Sequence, residues 1–177
     1  IDGIGAAIVC TFTNSPDVVD IDKDLVEVVP NKGFQVTSVS EEELDEITEI
    51  RLMLEPPAAA AAARVATPED AAELLTLAKA IVDAATAGDL ISYLDADREF
   101  HGRLLALHGN NRLVEIVYDL RDQTRLYGLA SLSDRGMLDV SAREHLEMCE
   151  YLSAGDDTAL GDLMRSHIGH VRQEWAG

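Results

Sequence analysis

The sequence predicts an all-α domain, an antiparallel bundle of helices preceded by a short β-hairpin. Three observations predict it. Apolar residues make up 47% of the chain, ample for a core, while aromatics are only 5% and alanine and leucine dominate, which favours helix over sheet. From Ser40 onward the apolar residues recur at helical spacing. The helical stretches are joined by short connections with glycine stops and polar caps, so sequence neighbours run mostly antiparallel.

Ile1 to Asp24 shows no helical period and ends in an acidic cluster, Asp17, Asp20, Asp22 and Asp24. Leu25 to Val29 and Phe34 to Val39 are β-prone, and Pro30-Asn31-Lys32-Gly33 between them is a turn sequence. Together they predict the hairpin. Ser40 with Glu43 reads as a capping box. It opens a first helix whose inward stripe is Leu44, Ile47, Arg51, Leu54 and Ala58. Pro56-Pro57 predicts a kink or interruption, after which the alanine run to Ala63 resumes the helix.

Thr67-Pro68-Glu69-Asp70 starts a second helix, with Thr67 as cap and Pro68 in the first turn, running to about Ala87. Gly88-Asp89 ends it and caps a third. Gly109-Asn110 repeats the device before a fourth helix from about Asn111 to Leu132. Ser133 to Val140 reads as a loop, and Ser141 with Glu144 as another capping box opening a fifth helix. Gly155-Asp156 stops that one, and a last helix runs to Trp175. The predicted division is residues 1–39 and residues 40–177.

A net charge of −19 repels phosphate backbones, so the residues shown are not expected to hold nucleic acid by themselves. Two cysteines, Cys10 and Cys149, are too few for a disulfide scaffold and fit a reducing compartment. No apolar run reaches the roughly twenty residues of a membrane span. The stretch Ile1 to Cys10 lacks the basic leader of a secretory signal. A cytoplasmic protein with no membrane partner is expected.

The chemistry lies in Asp97-Arg98-Glu99-Phe100-His101. Asp97 and His101 are a helical turn apart on one face. They fall on the stripe Leu90, Leu94, Asp97, His101, Leu104, His108, where a core-facing pattern asks for leucine. Burying such groups without partners costs several kcal/mol. Two later histidines break the same rule. His145 shares a stripe with Met148 or Cys149 and Leu152, and His167 with Leu160, Leu163 or Met164, and Val171. Imidazole nitrogens and a carboxylate oxygen make a sound ligand set for a divalent transition metal. Asp97, His101, His145 and His167 are therefore the candidate metal ligands, with a metal-free buried polar network as the alternative. Arg51 on its inward stripe is a candidate carboxylate anchor, or else a structural partner of Glu55. His170 lies one turn from His167, as pocket lining or rim. Tyr118, Arg121, Arg125 and Tyr127 offer further polar groups. His108 and Asn110 read as capping or surface residues.

Several stretches together resemble the GntR-type transcription regulators of the FadR-like branch, and above all their ligand-binding FCD domain. Leu25-Val-Glu-Val-Val-Pro-Asn-Lys-Gly-Phe-Gln-Val36 is similar to the wing of the family's winged helix. Glu49-Ile-Arg51 with Leu54-Glu55-Pro56 resembles the domain's opening helix. Asp97-x-x-x-His101, Gly109-Asn110, Glu144-His145 and Met164-x-x-His167-Ile168 match the metal-ligand pattern and the break within it. The resemblance implies six or seven antiparallel helices, a divalent metal, a small effector that is often a carboxylic acid, and a homodimeric repressor or activator. Arg51, His170 and Arg125 are the expected effector-binding groups, and zinc or nickel the foremost metals, with iron or manganese also open. The family's basic recognition helices have no counterpart here, since Ile1 to Asp24 is acidic and arginine is absent before Arg51. Operator DNA is thus expected only through a winged helix not evident in these residues. A rival reading is a metal-dependent hydrolase, which needs a general base near its water; Glu99, the nearest acid in sequence, falls on another face of its helix.

Overall fold

The computed structural model describes the backbone of residues 26–29, 33–36, 40–124 and 138–175, and side chains over 40–124, 138–169 and Arg172. The chain divides into two units, Ile1–Val39 and Ser40–Gly177. In the first, β1 (Val26–Val29) pairs antiparallel with β2 (Gly33–Val36), Val26 opposite Val36 and Val29 opposite Gly33. The connecting residues 30–32 lie outside the described set.

The second unit is all-helical, with six helices among the described residues: α1 (Glu41–Ala63), α2 (Pro68–Ala87), α3 (Leu90–Ala106), α4 (Asn111–Thr124), α5 (Leu138–Ala154) and α6 (Asp157–Trp175). The caps explain most boundaries. Ser40 Oγ accepts from the Glu43 amide and Thr67 Oγ1 from that of Asp70, each at 3.2 Å, while each acid reaches back to the cap residue. Asn110 Oδ1 accepts from Leu113 N and Asp156 Oδ1 from Ala159 N. Gly88 and Gly155 end α2 and α5 at φ 70° and 67°, the left-handed region where a Cβ would be strained.

Packing follows the apolar stripes. α1 lies along α6, and α2 against α3 and α5. The core is filled by Ala59 and Ala62 of α1, Leu74 and Ile81 of α2, Phe100 and Leu104 of α3, Met148 and Leu152 of α5, and Leu160, Met164 and Ile168 of α6. Small residues bring α1 and α6 close: a Cβ on Gly161 would stand 3.3 Å from both the Ala60 Cβ and the Pro56 carbonyl oxygen.

Two expectations need correction. The prolines at 56 and 57 do not interrupt α1, which is helical throughout. Each proline removes an amide donor and crowds the carbonyl four residues back, but the alanines that follow, Ala58, Ala59, Ala62 and Ala63, are buried, and their packing offsets that cost. The second correction bears on function. Ser141 and Glu144 are not a capping box, because α5 already begins at Leu138. Ser141 is buried inside the helix, its hydroxyl 3.3 Å from the Tyr93 hydroxyl, and Glu144 bonds to a histidine of α6. The predicted extension of α4 to Leu132 and the loop before Leu138 fall largely on residues 125–137, outside the described set.

Candidate metal centre

Three helices converge with their polar intruders facing one another. Asp97 and His101 come from α3, His145 from α5 and His167 from α6. One ligand-type atom from each lies within 4.8 Å of all the others. The three imidazoles are buried, and the Asp97 side chain is 16% exposed. His101 Nε2 is 3.1 Å from His145 Nε2. Asp97 Oδ1 stands 3.2 Å from His145 Nε2 and 3.6 Å from His101 Nε2. The rings pack edge-on or stacked, with centroids 4.8 to 5.3 Å apart, and Phe100 closes the apolar side at 4.9 Å from His145.

Each group has a further partner that sets its orientation. His145 Nδ1 donates to the Ser141 carbonyl at 2.9 Å, one turn back in α5. His167 Nδ1 donates to Glu144 Oε2 at 2.6 Å. Both therefore turn Nε2 toward the cluster, the arrangement usual for metal-binding histidines. Arg121 of α4 grips Asp97 Oδ2 at 2.6 Å and Glu55 Oε2 at 3.1 Å. Glu55, fully buried on α1, also takes Arg51 Nε at 2.5 Å and lies 3.9 Å from His101 Nδ1.

Burial opposes ionisation of Asp97, but the Arg121 guanidinium, with His101 and His145 adding to it, outweighs burial and holds the carboxyl well below its usual range. Glu55 is likewise held low against burial, by Arg51 and then Arg121. Burial, with Arg121 adding to it, drives His101 well below the ordinary histidine value; burial also lowers His167 against the pull of Glu144. Neutral rings keep the lone pairs that ligation requires. The donor set, one anionic oxygen and three imidazoles in a buried cluster, is chemically suited to a divalent transition ion. His101 Nδ1 is a buried nitrogen without a hydrogen-bond partner among the described residues, with the Glu55 carboxylate 3.9 Å away.

The expected effector groups are placed unequally. Arg51 is buried and engaged with Glu55. Arg125 lies outside the described residues, and so does the side chain of His170, whose backbone belongs to α6. His108 is exposed past the end of α3. Sequence reading underrated Glu55, Arg121 and Glu144. A stripe count over α1 puts Arg51 inward, but the same count with the next turn puts Glu55 beside it, and that signal was available. Glu99 points away, bonded at the surface to Arg103 at 2.7 Å, so it supplies no base to a hydrolytic site.

A match to the FCD domain family covers residues 46–170, which span all four cluster residues. The chain belongs to the FCD family of GntR-type transcription regulators. The HTH-type transcriptional regulator McbR of Escherichia coli K12 is 30% identical to this FCD chain over 161 residues, covering 85% of this chain and 71% of McbR. Among solved structures, E. coli McbR/YncC superposes with a TM-score of 0.68 at 26% identity, over 84% of this chain and 73% of that one. A GntR protein of Streptococcus agalactiae gives 0.64 at 27%, over 85% and 75%. This FCD domain is the effector-binding part of a transcription regulator. No helix among its described residues is long and apolar enough to cross a membrane.

Proposed function

We propose that this FCD domain is a metal-dependent sensor of a small carboxylic acid within a homodimeric, cytoplasmic DNA-binding regulator. One observation carries the reading: a carboxylate and three imidazoles from three helices meet in a buried cluster, with Nε2 of His145 and His167 turned inward by outer partners. Asp97, His101, His145 and His167 would hold the ion, zinc or nickel foremost and iron or manganese also compatible. A bound divalent ion would supply positive charge and open coordination positions for an acid's oxygen.

Arg51 and Arg121, paired with Glu55 and Asp97, lie on the α1 and α4 side of the cluster, and with Arg125 and His170 they are the candidates to meet an acid that displaces one of those carboxylates. An acid that binds where these helices meet, and favours one arrangement of them, shifts the population toward that arrangement. We take the β1–β2 hairpin as the remnant wing of a winged helix, within a segment over residues 1–39. α1 continues the chain directly from that segment. A change in α1 would alter the spacing of two DNA-reading heads, which must match operator half-sites.

The test is metal content by mass spectrometry on protein purified without a histidine tag, with thermal unfolding before and after chelation. Near-stoichiometric metal and a lower melting temperature on chelation support the reading, because an ion bound only to the native state stabilises it. Carboxylic acids are then screened against the loaded protein. Absence of metal and indifference to chelator would leave a buried hydrogen-bond network in its place.

A further inference from the structure

α1 and α6 lie side by side and antiparallel, tied by charge at both ends and brought close by small residues between. Arg64 pairs with Asp157 at one end, and Arg172 with Glu41 and Asp45 at the other. In the middle Gly161 approaches Pro56 and Ala60. A groove of about 500 Å³ runs between the two helices, with Leu52, Pro56, Ala60 and Gly161 as its less exposed lining. Its two rims differ. The α1 rim is apolar: Met53 is 62% exposed, Pro57 is exposed as well, and Ile50, 42% exposed, precedes Met53 by one turn. Exposed apolar side chains gathered on one face mark an interaction surface. The α6 rim is charged. Asp162 and Arg165 both line the groove and are exposed, and neither makes an ion pair or side-chain hydrogen bond among the described residues. In a chain with 33 acidic and 14 basic residues such an arginine is an exception. Seven other arginines of the described residues each hold an acid.

We propose that a second copy of this chain seats on the groove face, α1 on the partner's α1 and α6 on the partner's α6, across a two-fold axis at right angles to the helices. This rests on the homodimer in the reading above and adds where the two copies meet. Opposite charges three residues apart on one helix are self-complementary under such an axis. Asp162 faces the partner's Arg165, and Arg165 the partner's Asp162, so one contact is made twice. A partner of a single sign would meet a like charge at one of the two positions. The ties along α1 and α6 place the midpoint of Asp162 and Arg165 beside the α1 turn that holds Met53 and Pro57. The same axis therefore lays Met53 across the partner's Pro57. It also brings Glu46, from the acidic start of α1, toward the partner's Arg64, whose side chain is 63% exposed. Methionine is unbranched and adapts to an irregular groove lined by small residues. Two helices side by side over about 30 Å, each about 10 Å across, offer about 600 Å² in projection and more in accessible area. That approaches the roughly 800 Å² per partner of a standard interface.

The experiment is sedimentation velocity on the full chain over a concentration series, with circular dichroism to check that each variant is folded. A reversible dimer is expected for the wild type. Asp162→Arg sets arginine against arginine at both contacts, and Arg165→Asp sets acid against acid. Each raises the dimer dissociation constant about tenfold or more. The double exchange, Asp162→Arg with Arg165→Asp, restores opposite charges and returns the constant to within about threefold of wild type. Met53→Glu places an unpaired charge in the interface and also weakens the dimer about tenfold or more. All three side chains are exposed in the single chain, so these variants are expected to fold; if Met53→Glu does not, the charge exchanges decide. Dimers of wild-type strength in both single exchanges overturn this face and leave the homodimer intact. Weakening that the double exchange does not recover overturns the two-fold pairing of Asp162 with Arg165, and the proposal with it. A chain that stays monomeric at every concentration overturns the homodimer and this proposal together, and assigns the groove to another occupant.

Discussion

Replacing Arg121 by methionine tests how much of the bundle's stability depends on its buried ionic hub. The guanidinium side chain is 10% exposed and makes two contacts, 2.6 Å to Asp97 and 3.1 Å to Glu55. At an effective dielectric near 20, each contact at this range has a Coulomb energy of about 5 kcal/mol, against a desolvation cost of several kcal/mol for the buried cation. Breaking one partner out of a buried pair typically costs about 3–5 kcal/mol. Glu55 keeps Arg51, and methionine refills the volume of the stem, so the lower end, about 3 kcal/mol, is expected. For a domain of this size that corresponds to a fall in melting temperature of roughly 6–12 °C. The comparison is Arg98→Met. Arg98 makes a two-pronged pair with Asp122, both bonds at 3.0 Å, and lies 4.2 Å over the Tyr118 ring, but its side chain is 40% exposed. Solvent screening should hold its loss to about 1 kcal/mol. Urea unfolding followed by far-UV circular dichroism on metal-free protein measures both. Equal losses, or a loss below about 1 kcal/mol at Arg121, would show that burial does not set the size of these terms.

Three further outcomes follow from particular contacts. Burial pushes the Cys149 thiol up to about 12, so its thiolate is scarce at pH 8; iodoacetamide should label it slowly in the native protein and rapidly in urea, read by peptide mass spectrometry, and equal rates would refute its burial. A Cβ at Gly102 would fall 1.5 Å from the Tyr118 hydroxyl. Gly102→Ala should therefore cost about 1–3 kcal/mol by overpacking, relieved when Tyr118→Ala is added, whereas strict additivity in the double-mutant cycle would mean the two do not meet. If the cluster holds a metal, Glu144→Leu should weaken zinc binding roughly 10–100-fold by freeing His167 to turn, and Glu144→Gln much less, since its amide oxygen still accepts; a competing chelating dye reads both, and identical losses would point to charge instead of orientation.

Much of the architecture is legible without coordinates because its determinants are local. A cap acts on an amide three residues away, and a glycine stop acts on its own backbone, so the boundaries at Ser40, Thr67, Asp89, Asn110 and Asp156 can be read from short windows. Inward stripes likewise need only the helical period, and they pick out Arg51, His101, His145 and His167, all buried. The failures have the same cause. Ser141 and Glu144 carry the local signature of a cap, yet their partners are Tyr93 from α3 and His167 from α6, residues 48 and 23 positions away. No window around Ser141 contains that information.

The sequence by itself determined that helices form, where most of them stop, and that polar groups would be forced into the core, since each depends on spacing and on the chemistry of neighbours along the chain. Tertiary structure alone decided which of those polar groups meet and what each one holds. Arg51, an open candidate for an acid's anchor in the sequence, is spent on Glu55; Arg121, unremarkable on its helix, becomes the link between Asp97 and α1. The physical reason is that a buried charge takes the nearest complementary partner the packing brings within about 3 Å, and that partner is set by how α1, α3, α4, α5 and α6 cross, not by the order of residues in any one of them.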